Sequence, residues 1–120
     1  MVSDVNKKLR EAYEEFSKEA KERLGDKLIS LVLYGSVAKG RARSESDIDV
    51  FAVVSDVDAK ENLFDIAAEF LKGGVLFSVM VETPSKFREL QKAGSPFISS
   101  IFREGVILHG RRSKRRVEVG

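Results

Sequence analysis

The chain has 120 residues, of which 42% are hydrophobic and 33% are charged, a balance typical of one globular domain. The formal net charge of +2 is too small to indicate nucleic-acid binding by itself, and the lack of cysteine excludes a disulfide framework and a thiolate metal site. Because no apolar run approaches the length of a membrane span and the charged N-terminus is not that of a signal peptide, we expect a cytoplasmic protein without a membrane partner.

An amphipathic helix is predicted over residues 3–24, where apolar side chains recur at spacings of three and four among Lys, Arg and Glu. We interpret it as a helix that covers the core, the alternative being that its charged face also docks a partner. Residues 27–34 follow as a short run that is apolar on nearly both faces. This pattern predicts a strand near the centre of a sheet.

Gly35 and Ser36 interrupt that strand with a turn suited to phosphate. Glycine lets a bulky ligand approach the backbone because it has no Cβ. Ser36 stands where it can cap a short helix, so its hydroxyl and the free N–H groups of the helix start are candidate anion ligands. Cations in the following segment are either simply solvated or neutralise phosphate oxygens, and we predict the second role for Lys39 and Arg43.

A second strand is predicted over residues 47–54, and its first residues are acidic. Asp47 and Asp49 are two residues apart, so both carboxylates project from the same face. Two neighbouring carboxylates repel one another unless a cation lies between them, and hard oxygen donors are the ligands that Mg²⁺ prefers. We therefore predict that this pair binds Mg²⁺ beside a nucleoside triphosphate, rather than merely making a strand end soluble.

The rest of the chain alternates helices and strands. The acidic turn Ser55–Asp58 is predicted to cap a helix rather than to form a second metal site. Further elements are helices over about 59–72, 84–92 and 96–104, and strands over about 75–82 and 106–109. This order predicts an α/β (α+β) fold with a mixed sheet of about four strands flanked by helices.

The motif as a whole resembles a known family. Gly35-Ser36, ten further residues and then Asp47-Ile48-Asp49 form the GS-x10-D-x-D pattern of the minimal nucleotidyltransferases, within the DNA polymerase β-like superfamily. The resemblance implies a nucleotidyltransferase domain over residues 1–110, followed by a basic tail over 111–120. It also implies Mg²⁺-dependent transfer of a nucleoside monophosphate from ATP or another triphosphate to a hydroxyl.

The same resemblance implies a partner, because larger members carry an acceptor-binding helical domain for which this chain has no room. In minimal members that role belongs to a separately encoded, all-helical HEPN-type protein. Such pairs can act as toxin and antitoxin, the nucleotidyltransferase transferring AMP to a tyrosine of its partner. Association with such a protein is therefore expected, with a homodimer as the alternative.

The chain departs from the family at its third carboxylate, which commonly lies six residues before the proline of the next helix. That position is Ser78, whose hydroxyl cannot supply the missing charge. Glu82 lies on the same strand face but about 13 Å further along. Three functions stay open: an active enzyme, a catalytically weak or inactive antitoxin that binds nucleotide and neutralises its partner by contact, and, least favoured, a nucleic-acid-associated protein using the cluster Arg111–Arg116.

Overall fold

The computed structural model of the chain describes residues 4–41 and 47–110. Its helices are α1 (Asp4–Leu24), α2 (Gly35–Ala38), α3 (Val57–Lys72), α4 (Pro84–Lys92) and α5 (Pro96–Glu104), and its strands are β1 (Leu28–Tyr34), β2 (Ile48–Val54), β3 (Phe77–Glu82) and β4 (Val106–His109). A short 3-10 turn, Gly25–Lys27, joins α1 to β1. The predicted order is confirmed, with the predicted ends within two residues of those observed.

The four strands form one sheet in the order β3-β2-β1-β4. Strand β1 is antiparallel to β2 and β4, whereas β2 and β3 are parallel. A parallel pair needs a crossover connection, which α3 provides. The predicted mixed sheet of four strands flanked by helices is therefore confirmed, and β1 is central, as expected from its apolar sequence.

The two faces of β2 enter two separate cores, as its alternating pattern predicts. One face is fully buried against α1 and α3, and consists of Ile48, Val50, Ala52 and Val54. On the other face, Phe51 and Val53 pack against α4 and α5. Asp49 belongs to this second face and is partly buried at its beginning, whereas the neighbouring Asp47 is exposed. The sheet thus holds the two acids at the end of a rigid, buried strand.

Local capping fixes the helices around the sheet. Asp56 caps α3 by accepting a 2.9 Å hydrogen bond from the backbone N–H of Ala59, so the acidic turn is a helix cap as predicted. Ser95 caps α5 by accepting from Ile98 N at 3.3 Å. Among residues 4–41 and 47–110, no helix is both long enough and apolar enough to cross a membrane. The tail 111–120 lies outside the described residues, so the domain boundary at residue 110 stays a prediction.

Candidate active site

The turn after β1 is built around a glycine in the left-handed region. Gly35 has φ of +77°, which an L-residue with a Cβ rarely adopts. This turn starts α2 at once, so Tyr34 and not Ser36 is the N-cap residue, and Tyr34 makes no side-chain capping hydrogen bond. The expectation that Ser36 caps the helix is wrong, because the helix begins at Gly35 and already includes Ser36. Ser36 instead lies in the first turn of α2, where its carbonyl accepts from Arg41 N at 2.8 Å.

The carboxylate of Asp49 lies directly against Gly35. A Cβ added to this glycine would overlap Oδ2 of Asp49 and lie 3.1 Å from its Cγ. Position 35 must therefore be glycine to leave room for the Asp49 carboxylate, whether or not a ligand is bound. This contact joins the two halves of the sequence motif, the Gly-Ser turn and the acidic strand, into one site.

Asp49 also lies between two hydroxyl groups on the sheet. In the strand registers, Asp49 is opposite Tyr34 of β1 on one side and opposite Ser78 of β3 on the other. Directly opposite residues share a face of the sheet, so all three side chains project the same way. The Tyr34 ring makes an edge-on contact with Phe97, at 5.7 Å between ring centroids, and burial together with the charge of Asp49 raises the pKa of the Tyr34 phenol.

The electrostatics of Asp49 favour a cation. Partial burial raises its carboxyl pKa, and the neighbouring charge of Asp47 raises it further, while a hydrogen bond from Ser78 acts in the opposite direction. A divalent cation between the two acids would remove this repulsion, so the pair fits Mg²⁺. Within the part of the chain that the structure describes, no cluster of three His, Cys, Asp or Glu side chains is placed to hold a metal.

The strand register separates the two candidates for the third acid. Ser78 is directly opposite Asp49, whereas Glu82 is opposite Val53, four residues further along β2. At the usual rise per residue this places Glu82 about 13 Å from the level of Asp49. The position beside the two acids is therefore occupied by a serine, and its side chain is exposed on an edge strand.

Of the two predicted phosphate-binding cations, Lys39 directly follows α2 as its C-cap residue. The Lys39 ammonium forms an ion pair with Oε1 of Glu104, at 3.3 Å, and both side chains are 45% exposed. This pair lowers the pKa of the Glu104 carboxyl. Arg43 lies outside the described residues, so its predicted role stays a prediction. Lys39 is thus held beside the site by α5, through an ion pair that is exposed to solvent and can dissociate.

The family follows from comparison with known proteins. The model of the family "Polymerase beta, Nucleotidyltransferase" matches residues 14–114. The chain belongs to this family.

Two relatives in the archaeon Methanocaldococcus jannaschii support the same assignment. The chain is 32% identical to MJ1305 over 112 residues, and this match covers 88% of the chain and 74% of that protein. It is 31% identical over 99 residues to MJ0604, covering 82% of the chain and 95% of that protein. Both relatives are named as protein adenylyltransferases. The family predicted from Gly35-Ser36 and Asp47-Ile48-Asp49 is therefore confirmed.

Solved structures show the same fold. A toxin–antitoxin crystallised with AMP-PNP has a TM-score of 0.55 at 21% identity, over 88% of this chain and 78% of that one. The toxin–antitoxin MntA–HepT has a TM-score of 0.53 at 15% identity, over 91% and 78% of the two chains. A nucleotidyltransferase from Sulfolobus solfataricus has a TM-score of 0.51 at 18% identity, over 93% of both. At these identities the likeness extends to the fold.

Three neighbours of the site were not predicted from the sequence. Tyr34 had a usable signal, because it directly precedes Gly35 and an antiparallel pairing of β1 with β2 would place it near the acids. Phe97 and Glu104 had none, since α5 reaches Tyr34 and Lys39 only through the tertiary fold. Contacts of this kind depend on how α5 packs against the sheet rather than on any local pattern.

Proposed function

We propose that this protein binds a nucleoside triphosphate with Mg²⁺ and transfers its nucleoside monophosphate to a hydroxyl acceptor. The observation that carries the proposal is the contact between Gly35 and the carboxylate of Asp49. It brings a turn suited to phosphate within atomic contact of a partly buried acid whose neighbour is a second acid. Neither half alone would indicate this chemistry.

Each residue has a defined task in the proposed reaction. Asp47 and Asp49 would hold Mg²⁺, which when bound neutralises charge on the phosphates and lowers the pKa of the attacking hydroxyl. The acceptor oxygen forms a bond to the α-phosphorus while its proton passes to water, the bond from that phosphorus to the β-phosphate bridge oxygen breaks, and pyrophosphate leaves. Ser36 donates a hydrogen bond to a phosphate oxygen, and Lys39 exchanges Glu104 for phosphate.

The identity of donor and acceptor follows the relatives. Because MJ1305 and MJ0604 are named as protein adenylyltransferases, we take ATP as the donor and a protein side chain as the acceptor. The likeness to the toxin–antitoxin MntA–HepT supports a toxin–antitoxin role. We take the partner to be a separately encoded helical protein of the HEPN type and the location to be the cytoplasm, a homodimer being the alternative association.

A second function is favoured by Ser78. Among the described residues the site has two acids, with serine opposite Asp49. A bound Mg²⁺ therefore lacks a third carboxylate as ligand, and the acceptor hydroxyl lacks a carboxylate that could take its proton. A protein of this kind can bind ATP and its partner yet transfer AMP slowly or not at all. It would then neutralise the partner by contact.

Calorimetric titration of Mg²⁺ and ATP, followed by incubation with ATP labelled at the α-phosphate and any co-purified partner, tests both functions. The enzyme predicts ATP binding and label on the partner, and the contact-only module predicts a complex without label. Asp49→Asn should abolish Mg²⁺-dependent binding, whereas Asp65→Asn, an exposed acid on α3, should not change it. Failure of the parent protein to bind ATP with Mg²⁺ would refute the proposed site.

A further inference from the structure

Ser78 has three properties of an acceptor hydroxyl. It lies directly opposite Asp49 in the parallel register of β2 and β3, and its side chain projects from the same face of the sheet as the Asp49 carboxylate. Its side chain is exposed, because β3 is an edge strand and Ser78 faces away from the core that holds Phe77 and Val79. A primary hydroxyl is therefore held at the acids while it is still open to a bound nucleotide.

The other hydroxyl beside Asp49 is much less suited. Tyr34 is partly buried and its ring packs edge-on against Phe97. Of the two side chains opposite Asp49, only Ser78 is exposed.

We propose that Ser78 is a self-adenylylation site, at which the chain transfers AMP from ATP to its own serine. The inference rests on the proposed nucleotide site and goes beyond it by naming an acceptor. Ser78 Oγ forms a bond to the α-phosphorus, the bond from that phosphorus to the β-phosphate bridge oxygen breaks, and the hydroxyl proton passes to water at this exposed position. The products are AMP-serine and pyrophosphate.

The sizes of two known rate effects, general-base catalysis and a fixed acceptor, support a reaction without a third acid. A positioned general base contributes about 10²–10⁴-fold to a rate. A hydroxyl that is already part of the site has an effective concentration that can reach about 10⁵–10⁸ M when it is well oriented. Fixing the acceptor therefore offsets the loss of the base. An acceptor that must diffuse to the site lacks this compensation, so the same site would modify free acceptors poorly.

The modification also has a consequence for the site. AMP on Ser78 would place a phosphodiester charge and a nucleoside beside Asp49, where the next triphosphate would bind. We therefore expect one AMP per chain and a product that no longer binds ATP with Mg²⁺. Self-adenylylation would act as a single-turnover switch of the nucleotide site.

The test is intact-mass spectrometry of the purified full chain after incubation with ATP and Mg²⁺, with peptide mapping of the modified residue. We expect addition of one AMP, located on Ser78, at a rate per chain that does not depend on protein concentration. Ser78→Ala should lose the label, Ser78→Thr should keep part of it, and Ser99→Ala, an exposed serine on α5, should retain all of it. Asp49→Asn should stay unmodified, also when mixed with the parent protein.

Binding of AMP-PNP with Mg²⁺, measured in parallel, separates this inference from the proposed function. If the parent binds AMP-PNP but gains no AMP, Ser78 is not an acceptor and the proposed nucleotide site stands. Label mapped to Tyr34 or Ser36 would also overturn the assignment to Ser78. If AMP-PNP does not bind, both the inference and the proposed function are wrong.

Discussion

Gly35 and the carboxylate of Asp49 are in contact so close that no side chain beyond hydrogen fits at position 35. From the sequence alone, we explained Gly35 by the space that a bulky ligand needs to approach the backbone. The structure adds an internal reason, since even one methyl group would displace the acid that is proposed to hold the metal. The positive φ of Gly35 adds a second penalty for any other residue.

Gly35→Ala should therefore lower the free energy of unfolding and abolish Mg²⁺-dependent ATP binding. Gly40→Ala is the matched control, because Gly40 also has positive φ, +71°, but nothing lies within 4 Å of its added Cβ. The control should show only the backbone cost of about 1–2 kcal/mol. Urea unfolding of both variants checks this, and equal losses of stability would mean that the contact with Asp49 is unimportant.

Asp49→Asn should stabilise the protein near neutral pH while it removes the response to ATP with Mg²⁺. The folded-state pKa of Asp49 is raised from its ordinary 3.8, so the ionised carboxylate is less favourable in the folded than in the unfolded chain. This loss of folding stability is fully present at pH above the raised pKa and disappears as the pH falls to the ordinary pKa. Asparagine carries no such cost.

Thermal unfolding of Asp49→Asn and the parent across acidic to neutral pH measures this effect. The advantage of the variant should shrink as the solution is acidified. With ATP and Mg²⁺ present the order should reverse, because only the parent gains binding energy from the ligand. A variant that is less stable than the parent at neutral pH would contradict the raised pKa.

Ser36→Ala should change ATP affinity and Ser95→Ala should change stability, because Ser36 is proposed to contact phosphate and Ser95 caps a helix. Ser36 is not the N-cap of α2, so its loss should leave stability nearly unchanged. Its hydrogen bond to a charged phosphate contributes about 1.5–3 kcal/mol, so affinity for ATP should fall at least about tenfold. Ser95→Ala should instead cost about 0.5–2 kcal/mol of stability and leave affinity unchanged. Denaturation and calorimetric titration separate the two effects, and unaltered ATP affinity in Ser36→Ala would remove this serine from the site.

Glu104→Gln should increase the affinity for ATP, because it releases Lys39 from the 3.3 Å ion pair. The increase should be less than about fivefold, since exposed ion pairs are weak, and should decline as salt is added. Lys39→Ala should lower the affinity. Glu89→Gln is the control, as it removes an exposed ion pair with Lys86 on α4. If Glu104→Gln binds ATP more weakly, the pair positions Lys39 instead of competing with phosphate.

Ser78→Asp should strengthen Mg²⁺ binding, because it places a third carboxylate opposite Asp49. Transfer of labelled AMP to a partner protein should rise, up to the roughly 10²–10⁴-fold that a positioned base contributes. Glu82→Gln should change neither quantity, as Glu82 is opposite Val53. Transfer by the parent that depends on Glu82 would show that the strand register at the site differs from the one described.

Local patterns in the sequence determined the elements and the candidate site. The period of two in residues 48–54 correctly assigned Ile48 and Phe51 to opposite faces of β2, since side-chain direction in a strand is fixed by the backbone. The sequence around Asp56 and Ser95 also indicates helix starts, because a capping hydrogen bond joins residues only three apart. The spacing of the Gly-Ser turn and the two acids identified the family, which the comparisons confirm.

Only the tertiary structure decided what surrounds Asp49. The register of β2 against β3 places Ser78 there instead of Glu82, and it is set by how both strands pack on α1 and α3. The pairing of Lys39 with Glu104 depends on the position of α5. Helix α2 starts before Ser36 because the backbone of Gly35 turns early, where its Cα can lie against the acid. Such contacts join residues distant in sequence, so no local propensity encodes them, and the packing of the whole sheet selects them.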